Sequence, residues 1–215
     1  MTTTPQSWKT RARRVINSSD SDDFVQGYDD WAPEYDADHI NFGTALLVQF
    51  VDLFCRHVAV DAGPILDAGA GTGRMAEALQ LKGYRNFVGV DLSAGMLEVA
   101  ARKGIYEELR QMRLGGPMDF SDGQFEVVAS LGAISPNHIG ADAFDELLRI
   151  TKPGGLLVLS MRCGIKSMIG FDRKRSALVK AGHWRLINQV ADFVSHPELD
   201  PPMRSSIYVY EALPR

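Results

Sequence analysis

The sequence predicts a doubly wound α/β fold, a mainly parallel sheet with helices on both faces. Three observations carry this reading. Five short runs at 64–68, 86–91, 109–114, 125–131 and 156–160 read as strands, and the most apolar of them suit strands buried on both faces. Helical patterns or turns separate the runs. The first run passes through glycines at alternate positions, Gly69, Gly71 and Gly73, straight into the helical pattern Met75, Ala76, Ala78, Leu79.

The elements follow in order. Residues 1–19 hold Lys9, Arg11, Arg13 and Arg14 and no acid, whereas residues 20–38 hold eight acids and no base. A solvated tail is the expectation for the first stretch, with an organelle transit peptide as the alternative. The acidic block either partly neutralises this tail or forms a wet helix face. Tyr28, Trp31 and Tyr35 fall at helical spacing on one face, and Pro33 should interrupt that helix or start a second. Ala45 to Phe54 reads as an apolar helix covering the sheet, ended by Ala62-Gly63-Pro64.

The first strand, 64–68, leads to a helix over 73–82 that Gly83 ends. The second strand, 86–91, closes on Asp91. Ser93 is placed to N-cap a helix over 94–103. A third strand within 109–114 meets the loop 115–123, so any helix before the fourth strand, 125–131, is very short. A loop with Ser135-Pro136-Asn137-His138 follows, then a helix over 142–150, a turn at Lys152-Pro153-Gly154-Gly155 and the fifth strand. The remainder offers a helix at 174–181 and two further strands at 184–193 and 206–212. Three regions result: a polar tail (1–23), an N-terminal lid and helical cover (24–63) and a ligand-binding core (64–215).

The glycine turn has a chemical use. Without a Cβ the backbone turns sharply and approaches a ligand closely. The helix behind it begins with unpaired N–H groups that favour a carboxylate or phosphate. Asp91, at the tip of the second strand and about 20 residues past the glycines, is placed for ribose hydroxyls. A dinucleotide fingerprint would require glycine at 74, where the chain has Arg74, and no Gly-Lys-Ser/Thr follows as in a phosphate-binding Walker loop.

Composition narrows the class. Charged residues make up 23% and the net charge is −4, so no general nucleic-acid field is expected. Cys55 and Cys163 suggest neither a disulfide framework nor a metal site. No apolar run approaches membrane-spanning length and no secretory signal is evident. A cytoplasmic protein with reduced thiols is the expectation.

The pattern Asp67-x-Gly69-x-Gly71-x-Gly73 resembles motif I of the class I S-adenosylmethionine (SAM)-dependent methyltransferases. The resemblance extends to about residue 161. Asp91-Leu92-Ser93-Ala94-Gly95-Met96-Leu97 is similar to the family's D-x-S-x-x-M-L, and 120–128 to its entry into strand four, with Glu126 for the usual Asp. Leu147 to Gly155 is similar to its L-x-R-x-L-K-P-G-G, with Thr151 for leucine. Tyr28-Asp29-Asp30-Trp31-Ala32 and Tyr35-Asp36 resemble the lid that precedes motif I. These features most resemble the Williams–Beuren-region methyltransferase-like group. The family implies a Rossmann-like seven-stranded sheet whose last strand is antiparallel.

The resemblance also implies roles. Gly69, Ala70, Gly71 and Gly73 would lie along the methionine part of SAM, and Asp67 would hold its ammonium end. Asp91 would take the ribose hydroxyls, Leu92 and Met96 would pack on adenine, and the Met112 backbone would read the adenine edge. Tyr28 and Tyr35 would close over the donor, with Leu131 beside it at the end of strand four. Arg113 stands where the family has an adenine-accepting Asp. It cannot accept that bond, so it would stack on the ring or face solvent. SAM is the implied cofactor and S-adenosylhomocysteine its product.

Methyl transfer from a sulfonium is an in-line displacement that needs a base only when the nucleophile is protonated. His138 is the candidate base, with His39 second; His57 and His183 read as structural and His196 as uninformative. The expected activity is transfer to an O or N atom of a small molecule, without nucleic-acid or membrane partners and with oligomeric state open. A protein or RNA methyltransferase, a non-catalytic SAM-binding protein and a nicotinamide oxidoreductase are the alternatives.

Overall fold

The computed structural model describes residues 5–18, 21–40, 43–134 and 139–214. A seven-stranded sheet forms its centre. In sequence order the strands are β1 (Ile65–Ala68), β2 (Phe87–Asp91), β3 (Tyr106–Gln111), β4 (Phe125–Ile134), β5 (Thr151–Arg162), β6 (Trp184–His196) and β7 (Met203–Ala212). Across the sheet they run β3-β2-β1-β4-β5-β7-β6. The first five are mutually parallel, and β7 lies antiparallel between β5 and β6. The order reverses direction between β1 and β4, where ligands sit in sheets of this type.

All four residues of β1 are buried because both faces of the sheet are covered. Leu66 and Ala68 point into one core with Phe144, Leu147 and Leu148 of α6 (Ala143–Ile150) and Phe171 and Leu178 of α7 (Ile169–Lys180). Ile65 points into the other, with Phe50 and Phe54 of α3 (Thr44–His57) and Met75 and Leu79 of α4 (Arg74–Gln80). Each fully buried side chain of this size contributes about 1.5–3 kcal/mol of transfer free energy. Ser93 caps α5 (Ala94–Arg102) as expected, its hydroxyl accepting the Met96 N–H at 3.1 Å. The Lys152–Gly155 turn is looped out within β5, between the partners Phe125–Thr151 and Val127–Leu156.

Two expectations are corrected. Residues 5–17 form a helix, α1 (Pro5–Asn17), where a solvated tail was expected. Trp8, Ala12 and Val15 recur at i, i+4 and i+7 and are buried against Trp31. Its bases meet the acids of α2 (Ser21–His39): Arg11 with Asp38, and Arg14 with Asp23 and Asp30. The acidic block is therefore largely a docking face. Secondly, α2 runs unbroken through Pro33. An interior proline costs a helix about 3 kcal/mol, and the tertiary contacts of Asp29, Asp36 and Asp38 on the same helix offset it.

Candidate active site

The loop from β1 to α4 is pinned to the neighbouring strand. The Gly69 and Ala70 N–H groups both donate to the Val90 carbonyl at 2.9 Å. Gly69 has φ +85°, and a Cβ there would stand 2.3 Å from the Ala133 Cβ. The loop therefore lies against β4 more closely than any side chain permits. Gly71 differs: its φ is +54°, and a Cβ there would meet nothing within 4 Å. Its open flank borders two cavities. Gly73 starts α4 in the left-handed conformation and packs beside Tyr106, lining neither cavity.

Two carboxylates stand beneath this loop. Asp91 accepts the Gly71 N–H at 2.8 Å through Oδ2 and the Ser93 N–H at 2.9 Å through Oδ1. Burial raises its pKa, and the backbone N–H groups oppose the rise. Asp67 is 1% exposed and accepts the Tyr106 hydroxyl at 2.7 Å. Burial pushes its pKa up to about 7; the Tyr106 bond lowers it and the nearby Asp91 charge raises it.

The lid helix α2 is clamped over the loop by its own acids. Asp29 accepts the Ser93 hydroxyl at 2.5 Å and the Gly95 N–H at 2.8 Å, at the start of α5. Asp36 accepts the Thr72 hydroxyl at 2.5 Å and pairs with Lys103 at 2.7 Å. These contacts lay Tyr28 and Tyr35 across the glycines. Burial raises both phenols, Tyr28 well above its ordinary value and Tyr35 to about 12, so both stay protonated.

Two cavities meet beneath the lid. The smaller, about 120 Å³, is lined by Asp91, Leu92, Met96, Met112 and Arg113. Arg113 is exposed at its rim. The Met112 N–H donates to the Asp91 carbonyl at 2.9 Å. That bond occupies the Met112 N–H, so the Met112 carbonyl is the backbone group left to meet an adenine edge. The larger cavity, about 210 Å³, is lined by Asp67 and Ala70 at one end and reaches to β5, β6 and β7. Tyr28, Tyr35, Gly69, Gly71 and Leu131 line both.

His138 lies outside the described residues. Two other histidines line the larger cavity, His39 and His196. His39 Nδ1 donates to the Tyr35 carbonyl at 2.8 Å, and its ring stacks on Tyr35 at 3.9 Å between centroids. Burial and then the Arg74 charge lower its pKa to about 3. His196 sits 3.0 Å from the Ser195 hydroxyl, and burial, then Arg162 and Arg74, lower it to about 4. Both are neutral at pH 7. His196, Arg74, Arg162 and the α1 wall of Ala12, Val15 and Ile16 were not expected at a site. Only the spacing of Trp8, Ala12 and Val15 signalled any of them in advance. Among the described residues no cluster of His, Cys, Asp or Glu could hold a metal ion.

Residues 66–159 match the family model described as a methyltransferase domain. The chain is 33% identical over 184 residues to human methyltransferase-like protein 27, covering 82% of this chain and 74% of that protein. The chain belongs to the class I SAM-dependent methyltransferases. Its methyl donor is SAM. This methyltransferase is also 35% identical over 101 residues to the demethylmenaquinone methyltransferase of Symbiobacterium thermophilum, across 44% of this chain and 40% of that enzyme's length. A solved SAM-dependent methyltransferase of Thermotoga maritima superposes with TM-score 0.61 at 17% identity, covering 86% of this chain and 97% of that one. That likeness concerns the fold. Of the described residues, no helix of this methyltransferase is long and apolar enough to cross a membrane.

The chemistry of the site suits the donor. A buried carboxylate held near neutral pKa, Asp67, gains from an ammonium partner. Asp91 offers a carboxylate beside an apolar cleft formed by Leu92 and Met96.

Proposed function

We propose that this methyltransferase transfers the methyl group of SAM to an oxygen or nitrogen atom of a small molecule held in the larger cavity. The observation that carries this reading is the shared wall: the glycine loop and the two lid tyrosines border both cavities. A donor laid along that wall, adenosine end in the smaller cavity and methionine end toward Asp67, has the acceptor on its other side.

Each residue has a part in this arrangement. Asp91 receives the ribose hydroxyls while keeping the Gly71 and Ser93 N–H groups in line. Leu92 and Met96 pack on the adenine and Arg113 covers it from the rim. Asp67 holds the ammonium, with Gly69, Ala70 and Gly71 giving backbone clearance. Tyr28, Tyr35 and Leu131 exclude water at the junction. SAM supplies an already activated methyl carbon, so the protein's work is alignment. Neutral His39 and His196 face the acceptor with reduced basicity, which suits a nucleophile that needs little help in losing a proton. No general base is assigned among the described residues, and His138 remains a candidate outside them.

The cavity of about 210 Å³ suits a compact acceptor group. The relative named for demethylmenaquinone supports the same reading. A net charge of −4 gives no support to a nucleic-acid acceptor. The test is incubation with methyl-labelled SAM and, separately, metabolite extract, a peptide mixture and total RNA. Label in the metabolite fraction is expected; label confined to peptide or RNA would contradict the proposal.

A further inference from the structure

Arg162 ends β5, paired across the sheet with Ser205 of β7, and lines the larger cavity at the end away from the glycine loop. Its Nε is buried and has no hydrogen-bond partner, and no ion pair engages its guanidinium among the described residues. Among the described residues the other arginine lining the cavity is Arg74, which donates to the His39 carbonyl. Burial alone holds the Arg162 group below its usual pKa, with no carboxylate countering the effect. A half-buried guanidinium without a counter-ion favours an anionic partner that completes it. Among the described residues Asp67 is the one acid lining this cavity, and it sits at the glycine-loop end.

We propose that the methyl acceptor carries a carboxylate and that Arg162 is the group that holds it. The inference rests on the small-molecule reading above and narrows it to a substrate class. A guanidinium edge matches a carboxylate in a bidentate fork. The rest of the wall fits an apolar body behind that head: Val15 and Ile16 from α1, Trp31 from the lid, and Leu46 and Leu47 from α3. An acceptor anchored at Arg162 would span the cavity and present its far end to the junction beneath Tyr35. His196, neutral and buried next to Arg162, adds no competing positive charge.

The test is ligand-observed NMR on the S-adenosylhomocysteine complex with benzoate, benzamide and phenyl phosphate as probes, for the wild type, Arg162→Gln and Arg162→Lys. Benzoate should bind more tightly than the other two. Arg162→Gln should weaken it by at least about tenfold, and Arg162→Lys should retain part of it. S-adenosylhomocysteine affinity should be the same in all three proteins. Benzoate should also raise the melting temperature of the wild type and not of Arg162→Gln. If Arg162→Gln does not fold, the wild-type probe ranking and Arg162→Lys still decide. Equal binding of benzoate and benzamide, preference for phenyl phosphate, benzoate binding unaffected by Arg162→Gln, or no probe binding would each overturn the proposal. Methyl label found only in neutral metabolites would overturn the carboxylate and leave small-molecule transfer standing. Label found only in peptide or RNA would remove the reading beneath it.

Discussion

Asp91 at the tip of β2 accepts the backbone N–H of Gly71 at 2.8 Å, so the acid and the glycine loop are one unit 20 residues apart in sequence. The carboxylate fixes the loop from below and leaves the flank of Gly71 open. Two alanine substitutions should therefore separate folding from binding. Gly71→Ala meets no atom within 4 Å, so it should cost only the left-handed backbone penalty, about 1–2 kcal/mol. It should nonetheless weaken donor binding strongly, because the methyl occupies the open flank. Gly69→Ala drives its Cβ to within 2.3 Å of Ala133 and should lower stability by more than Gly71→Ala does. Chemical denaturation and titration with S-adenosylhomocysteine measure the two effects separately.

Asp67 gives a pH dependence of defined sign. Its folded pKa, raised to about 7 from 3.8, lies above the unfolded value. Between these pH values the unfolded chain has lost a proton that the folded chain keeps. Stability from this group therefore falls as pH rises from about 4 to about 7 and is level beyond. Asp67→Asn should flatten that slope and make the empty protein more stable at pH 8, by on the order of a few kcal/mol. The same change should weaken donor binding through loss of the ammonium partner. Calorimetry near pH 6 in buffers of different ionisation enthalpy should show proton release when the wild type binds S-adenosylhomocysteine, and none for Asp67→Asn.

The α1 helix forms part of the wall of the larger cavity and is held by a buried carboxylate. Asp38 is 2% exposed and accepts Arg11 Nη2 at 2.6 Å and Trp31 Nε1 at 2.7 Å. Arg11→Gln leaves that buried charge without its cation and should destabilise the protein by about 2–4 kcal/mol. Val15→Ala should raise the acceptor KM while changing S-adenosylhomocysteine affinity little, because Val15 lines the larger cavity and not the smaller. Steady-state kinetics with the acceptor found in the labelling experiment, together with donor titration, would show the split.

Most strands, the glycine loop and the acid beneath it were legible in sequence because their signals are local. Residues 65–68 and 87–91 are short, mostly apolar runs flanked by turns, and Ser93 sits one residue before its helix. β3 was placed too late, within 109–114 instead of Tyr106–Gln111, because an edge strand with Glu107, Glu108 and Arg110 shows no apolar run. The acceptor side was not legible. Arg162, His196 and Val15 belong to three elements far apart in sequence, and only the antiparallel return of β7 and the docking of α1 bring them to one cavity. α1 itself was misread because its charges outweighed the spacing of Trp8, Ala12 and Val15. Two of those charges, Arg11 and Arg14, are paired by acids of α2, which no local rule reveals.

The most direct test is calorimetric titration of the wild type and Asp91→Ala with SAM, S-adenosylhomocysteine and NAD, with Lys174→Ala as control. Lys174 pairs with Asp145 at 2.5 Å and lines neither cavity. The wild type and Lys174→Ala should bind SAM and S-adenosylhomocysteine alike and not NAD. Asp91→Ala loses its charge-assisted bonds from the Gly71 and Ser93 N–H groups as well as the ribose contact proposed for it, and should bind about a hundredfold more weakly or worse. Absence of SAM and S-adenosylhomocysteine binding to the wild type at millimolar ligand, or undiminished binding to Asp91→Ala, would contradict the account of the site.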